Sequence, residues 1–149
     1  MSKLTLDQIA PDLSVLLQRA SPSQLRRIAV EVARHAMVLV RLEHPTLEGA
    51  LREVEGRGVV TAVTRSKLQE IVDALDSRYF DLQEAEGQTS EGTERAKAFR
   101  RARAANTVLF AVHDDPYEAA TEGIYEANAA LGEQIDLLRR LVGDLLGRG

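Results

Sequence analysis

The sequence predicts an all-α protein: one helical domain over residues 1–149, built as a bundle of six or seven helices. Three observations predict it. Apolar residues recur at three- and four-residue spacing along most of the chain, the period of helices with one buried face. Helix-start signatures stand at Ser21-Pro22-Ser23-Gln24 and Asp115-Pro116-Tyr117-Glu118. Each pairs a capping residue with Pro at the first helical position and Gln or Glu three places after the cap. Only Val59–Thr64 is β-branched enough to suggest a strand, and the sequence has no second such run to pair with it, so a helix start is the better reading.

The first stripe is Leu6, Ile9, Leu13, Leu16/Leu17 and Ala20, with Pro11 inside it marking a kink or a fresh start. From Pro22 a second stripe runs through Leu25, Ile28, Val32, Ala36 and Leu39. It should end near His44, because the residue before Pro45 is pushed out of the helical region. A short helix over about Thr46–Glu55 is expected to stop at Gly56 and Gly58. Leu68, Ile71, Leu75, Tyr79 and Leu82 predict a helix to about Ala85. Gly87–Thr93 is the obvious loop. The next helix should span Glu94 to about His113, and the last stripe, Tyr117 to Leu145, is one helix or two broken near Gly132.

Composition narrows the function. A net charge of −4 argues against non-specific nucleic-acid binding, which needs a basic footprint. The chain has no cysteine, which excludes thiol catalysis and suits a reducing, cytoplasmic setting. Met1–Leu6 carries one Lys and no apolar stretch of the kind a secretory signal needs. The longest run without a charged residue is Ala104–His113, too short for a membrane span of roughly 20 residues. Arg outnumbers Lys 16 to 3, as GC-rich, bacterial coding would give.

The aromatics and the densest acidic run share one segment. Tyr79, Phe80, Phe99, Phe110, Tyr117 and Tyr125 are all the aromatics of the chain, and Asp114, Asp115, Glu118, Glu122 and Glu126 follow one another without a basic residue between them. Glu118, Glu122 and Glu126 are four apart and would share a helix face. Asp114 and Asp115 would sit at the positive end of the same helix. Such a stripe is a partner-facing surface or a solvated, capped helix face. Internal pairing is the third reading. In an antiparallel hairpin turning at His113–Asp115, Arg103 and Arg100 would reach Glu126 and leave the other four acids free. The basic cluster Arg95–Arg103 is read as a solvated face that takes part in this pairing.

Catalytic and metal signatures are missing from the sequence. No His is preceded by Glu at the spacing of a di-iron bundle. Glu31 and His35 share a face, but one pair makes no metal site. Helical nucleases of the HEPN type place a His shortly after an Arg, whereas seven residues separate Arg27 from His35 and nine separate Arg103 from His113. There is no Gly-x-Ser-x-Gly and no phosphate-cradling glycine loop. No enzyme, no metal and no cofactor is therefore expected.

Tyr79-Phe80-Asp81-Leu82-Gln83, the run Ala98 to Ala105, Glu118-Ala119-Ala120 and Ile124-Tyr125-Glu126-Ala127 together resemble the C-terminal half of an all-helical family of bacterial immunity proteins, over roughly residues 60–131. That resemblance implies a cytoplasmic, non-catalytic protein that binds and neutralises one cognate polymorphic toxin. Charge and position alone point to the contact residues: Asp114, Asp115, Glu118 and Glu122 against a basic toxin surface, with Tyr117 and Tyr125 as anchors. Two other readings stand beside it. One is a structural or regulatory module that dimerises along Ile124–Leu145. The other is an enzyme built around Glu31, His35 and His113.

Overall fold

The computed structural model describes residues 5–86 and 94–147, with the Glu86 side chain left out. Among the described residues the chain is all-helical. Its elements are α1 (Leu6–Ile9), α2 (Pro11–Arg19), α3 (Pro22–Leu39), α4 (Pro45–Arg57), α5 (Ala62–Glu86), α6 (Glu94–Ala111), α7 (Pro116–Ala130) and α8 (Ile135–Gly147). Eight helices replace the expected six or seven because both doubtful breaks occur. Pro11 starts α2 afresh after Ala10, and Gly132, at φ +70°, separates α7 from α8. The expected loop Gly87–Thr93 lies outside the described residues.

Three helices make the centre. α6 and α7 form the antiparallel hairpin, and α3 packs on both; α5 covers α6, α8 lies on α3, and α1 and α2 lie on α7. The central contacts are made largely by small side chains: Ala29, Ala33 and Ala36 on α3, Ala102, Ala104, Ala105 and Ala111 on α6, and Ala119, Ala120, Ala127 and Ala130 on α7 are all buried. Small side chains let helix axes approach closely. Larger buried residues, among them Leu13, Leu17, Ile28, Leu47, Leu51 and Leu68, fill the space between this centre and the outer helices.

Helix starts follow the local chemistry. Ser21 caps α3, its Oγ accepting from the Gln24 N–H at 3.2 Å while Gln24 Oε1 accepts from the Ser21 N–H at 2.8 Å. The start of α5 is held from α4, since Glu53 accepts from the Thr61 N–H and the Thr64 hydroxyl at 2.8 and 3.0 Å. This confirms the helix start over Val59–Thr64.

Helix ends departed from expectation twice. α3 stops at Leu39 rather than His44. The Arg41 backbone turns left-handed (φ 57°), Leu42 N–H donates back to the Met37 carbonyl at 2.8 Å, and Arg41 N–H donates to the Val38 carbonyl at 3.1 Å. This is a Schellman ending, and burial of Leu42 beside Met37 completes it. α4 runs through Gly56 to Arg57 and stops only at Gly58, which holds φ +78°.

The stripe read as a dimer seam is internal core. Ile124, Ala127, Leu138, Val142 and Leu145 are buried within the chain, and Ile135, Leu141 and Leu146 pack against the same core. A homodimer through Ile124–Leu145 is therefore not supported: α8 folds back on α3 and spends its apolar face there.

Candidate protein-binding surface on α7

The acids of this segment differ in exposure: Asp114, Asp115 and Glu118 are exposed, Glu122 is half-buried and Glu126 is buried. Asp114 was expected to be free. Its carboxylate instead accepts from Arg65 Nη2 of α5 at 2.9 Å, and its carbonyl accepts from Arg26 Nη2 of α3 at 3.3 Å. Arg26 also donates to the Ala111 carbonyl at 2.7 Å, covering the C-terminus of α6, where positive charge is favoured. Burial pulls the Arg26 guanidinium below its ordinary value, against the opposing pull of Asp114 and Asp115. Arg26 and Arg65 were not marked by the sequence; they lie 88 and 49 residues from Asp114, and no short-range signal links them.

Asp115 is the N-cap of α7, accepting from the Tyr117 N–H at 3.0 Å. The expected reciprocal bond from Glu118 is not formed, because the Asp115 N–H donates to His113 Nδ1 at 3.0 Å instead. Tyr117 is half-buried and packs against the core rather than standing outward as an anchor.

Along α7, Glu118 is exposed, and Thr121, Glu122, Tyr125, Asn128 and Ala129 are half-buried. These positions form the outer stripe. Glu126 leaves it: its side chain is only 5% exposed and pairs with Arg103 Nη1 at 3.3 Å. A four-residue step turns a helix by about 400°, so two steps carry Glu126 roughly 80° from Glu118, onto the inner face. The Arg103–Glu126 pair is the one that antiparallel hairpin register predicts, and Arg103 has a second partner that register does not give: the Asp76 carboxylate of α5 accepts from its Nη2 at 3.0 Å.

The aromatics cluster apart from this stripe. The Tyr79 ring lies 5.4 Å from Phe80 and 5.3 Å from Phe99, and Phe99 sits 5.8 Å below the Arg103 guanidinium, all at the α5–α6 contact. Only Tyr125 accompanies the outer acids.

The three histidines serve local backbone. His44 Nδ1 accepts from the Thr46 N–H at the start of α4, His113 Nδ1 takes the Asp115 N–H, and His35 Nδ1 donates to the Glu31 carbonyl at 2.9 Å. The Glu31 carboxylate points to Arg34, so the Glu31–His35 pairing considered from sequence is not formed through side chains. Arg34 gathers Glu31, Glu48 and Glu55, clamping α3 to α4. The cluster raises the Arg34 guanidinium above its ordinary value, mainly through its bonds to Glu55, and the same bonds hold Glu55 below the usual carboxylate range. Among the described residues no three His, Asp or Glu side chains converge as a metal set. No described helix is long and apolar enough to cross a membrane.

Compared with known proteins, the chain matches no family model, no curated protein and no solved structure.

Proposed function

We propose that this chain is a non-catalytic, immunity-type binding protein that neutralises a cognate bacterial toxin in the cytoplasm by covering a basic surface of it. The observation that carries the reading is the outer stripe of α7. It presents Glu118, Glu122 and Tyr125 on a helix with no Lys or Arg, inside a stretch from Ala104 to Leu138 that has none either. α7 is anchored at its start by the Asp115 cap and by the Arg26–Arg65 grip on Asp114, and along its inner face by α3 and α6. A stripe held on a rigid helix loses little freedom on binding. Its charge would steer a basic partner toward it, faster at low salt. In this proposal the exposed Asp114 and Asp115 extend the acidic surface at the start of α7, and Tyr117 supports the helix from beneath.

The test is co-expression with the C-terminal domain of the protein encoded immediately upstream, scoring growth rescue and co-purification. Rescue and a complex are expected from the native chain. The double variant Glu118→Arg, Glu122→Arg should fold normally and bind with a slower association rate. A complex that forms at unchanged rate and affinity in that variant excludes the α7 surface. Absence of rescue by the native chain excludes the immunity role.

A further inference from the structure

A second surface lies at the opposite end of the three-helix centre, independent of the toxin reading. The C-terminal ends of α3 and α7 meet the first half of α6 there and enclose an open groove of about 600 Å³. Its floor is aliphatic, with Leu39, Leu131 and Leu137, and its rim is basic, with Arg41, Lys97, Arg100 and Arg101; no carboxylate lines it. Leu39 is 54% exposed, and Val38 beside it is 73% exposed, the most exposed large apolar side chain described.

The cations are not spent on pairing. Lys97 meets Glu94 at 3.5 Å with both side chains in solvent, a contact of little energy. Among the described residues no carboxylate forms an ion pair with Arg41, Arg100 or Arg101. The Arg100 guanidinium lies over Gly132, where a Cβ would stand 3.4 Å from its Nη2. Arg41 is placed by a left-handed backbone at a position where glycine is the usual residue, so a charged side chain is kept at a conformational cost.

We propose that this groove docks an acidic segment of a partner protein, its carboxylates on Arg41, Lys97 and Arg101 and one bulky apolar side chain seated on Leu39, Leu131 and Leu137. Charge complementarity selects an anionic occupant. The aliphatic floor requires an apolar anchor, and the lack of any aromatic in the lining disfavours nucleobases, which bind by stacking. The groove is concave, which suits an inserted side chain better than a flat lipid surface.

The experiment is fluorescence anisotropy with two labelled helical peptides, one carrying Glu at every fourth position around a central Leu-Phe, the other with Ala-Ala at the centre. The first should bind the native protein, weaken with added salt, and lose at least about tenfold in affinity with Arg101→Glu. Arg101→Gln should fall between, and circular dichroism should show the fold kept in both variants. The Ala-Ala peptide should bind about tenfold more weakly. Equal binding to native and Arg101→Glu protein overturns the proposal, as does no binding of the first peptide up to about 100 µM. Preferential binding to phosphatidylserine vesicles that is lost with Leu39→Asp assigns the surface to a membrane and also overturns it. Self-association that is lost with Arg101→Glu assigns the groove to a second copy, with the same consequence.

Discussion

Replacing Arg103 with Met should cost this domain a large share of its stability, and the reason can be isolated. Arg103 Nη1 is 3.3 Å from a Glu126 carboxylate that is 5% exposed, and Nη2 is 3.0 Å from Asp76, which is 31% exposed. Removing one partner of a buried ion pair is costly because the other charge stays buried, at about 3–5 kcal/mol. The Asp76 contact is nearer solvent and contributes less than about 1 kcal/mol. Contact with the Phe99 ring adds roughly 0.5–1 kcal/mol. The loss at the buried Glu126 carboxylate therefore dominates, against a total stability of about 5–15 kcal/mol for such a domain. Urea unfolding of Arg103→Met should show a loss of about 3–5 kcal/mol, and thermal unfolding a drop on the order of 10 °C. The double variant Arg103→Met, Glu126→Leu should recover at least half, because an apolar pair of similar volume removes the buried charge. Asp76→Asn alone should lose less than about 1 kcal/mol. A double variant no more stable than Arg103→Met would refute the argument and locate the loss in packing of the Arg103 stem instead.

Three further outcomes follow from the helix ends and the Arg34 clamp. Arg41→Gly should raise stability by about 0.5–1 kcal/mol in urea unfolding, since glycine takes the left-handed turn without steric cost but loses more chain entropy. Asp115→Ala should lose about 1 kcal/mol through the missing cap on the Tyr117 N–H, whereas Glu118→Ala should stay within about 0.5 kcal/mol by the same measurement. Arg34 holds Glu55 below its ordinary value of 4.5, so the stability this pair lends is complete above that pH and is lost as pH falls beneath it. Glu55→Gln should lower stability at neutral pH and flatten the acid side of the stability–pH curve below about pH 4.5, read from urea midpoints across pH.

Some of this architecture was legible in local chemistry. Pro11, Pro22, Pro45 and Pro116 each stand at the first position of a helix, where a missing N–H costs nothing. The Arg103–Glu126 pair followed from hairpin register alone. The end of α3 did not, because Arg41 does the work of a glycine and carries no glycine signal. Gly56 misled in the other direction: it keeps the helical backbone, and only Gly58 takes the left-handed turn that ends α4. The last apolar stripe fits a dimer seam and a core equally well from sequence, since periodicity reports a face to be covered and not what covers it. At the candidate surface, four-residue spacing put Glu118, Glu122 and Glu126 on one face, but the helical drift carries Glu126 inward onto Arg103. Asp114 stays exposed but pairs with Arg65, and Tyr117 packs against the core, contacts set only once α5 and α6 are packed.

The alanine seam of α3, α6 and α7 also limits how this protein can diverge. A larger residue at Ala119, Ala120 or Ala127, all at 0% exposure, would have to push whole helices apart, at about 1–3 kcal/mol or more. On the other side of the same helix Glu118 is exposed and positions 121, 122 and 125 are half-buried. An exposed position such as 118 tolerates substitution within about 0.5 kcal/mol. A lineage under pressure to meet new partners could change the outer side of α7 more readily than the inner side, so recognition and folding would evolve largely on separate faces of a single helix.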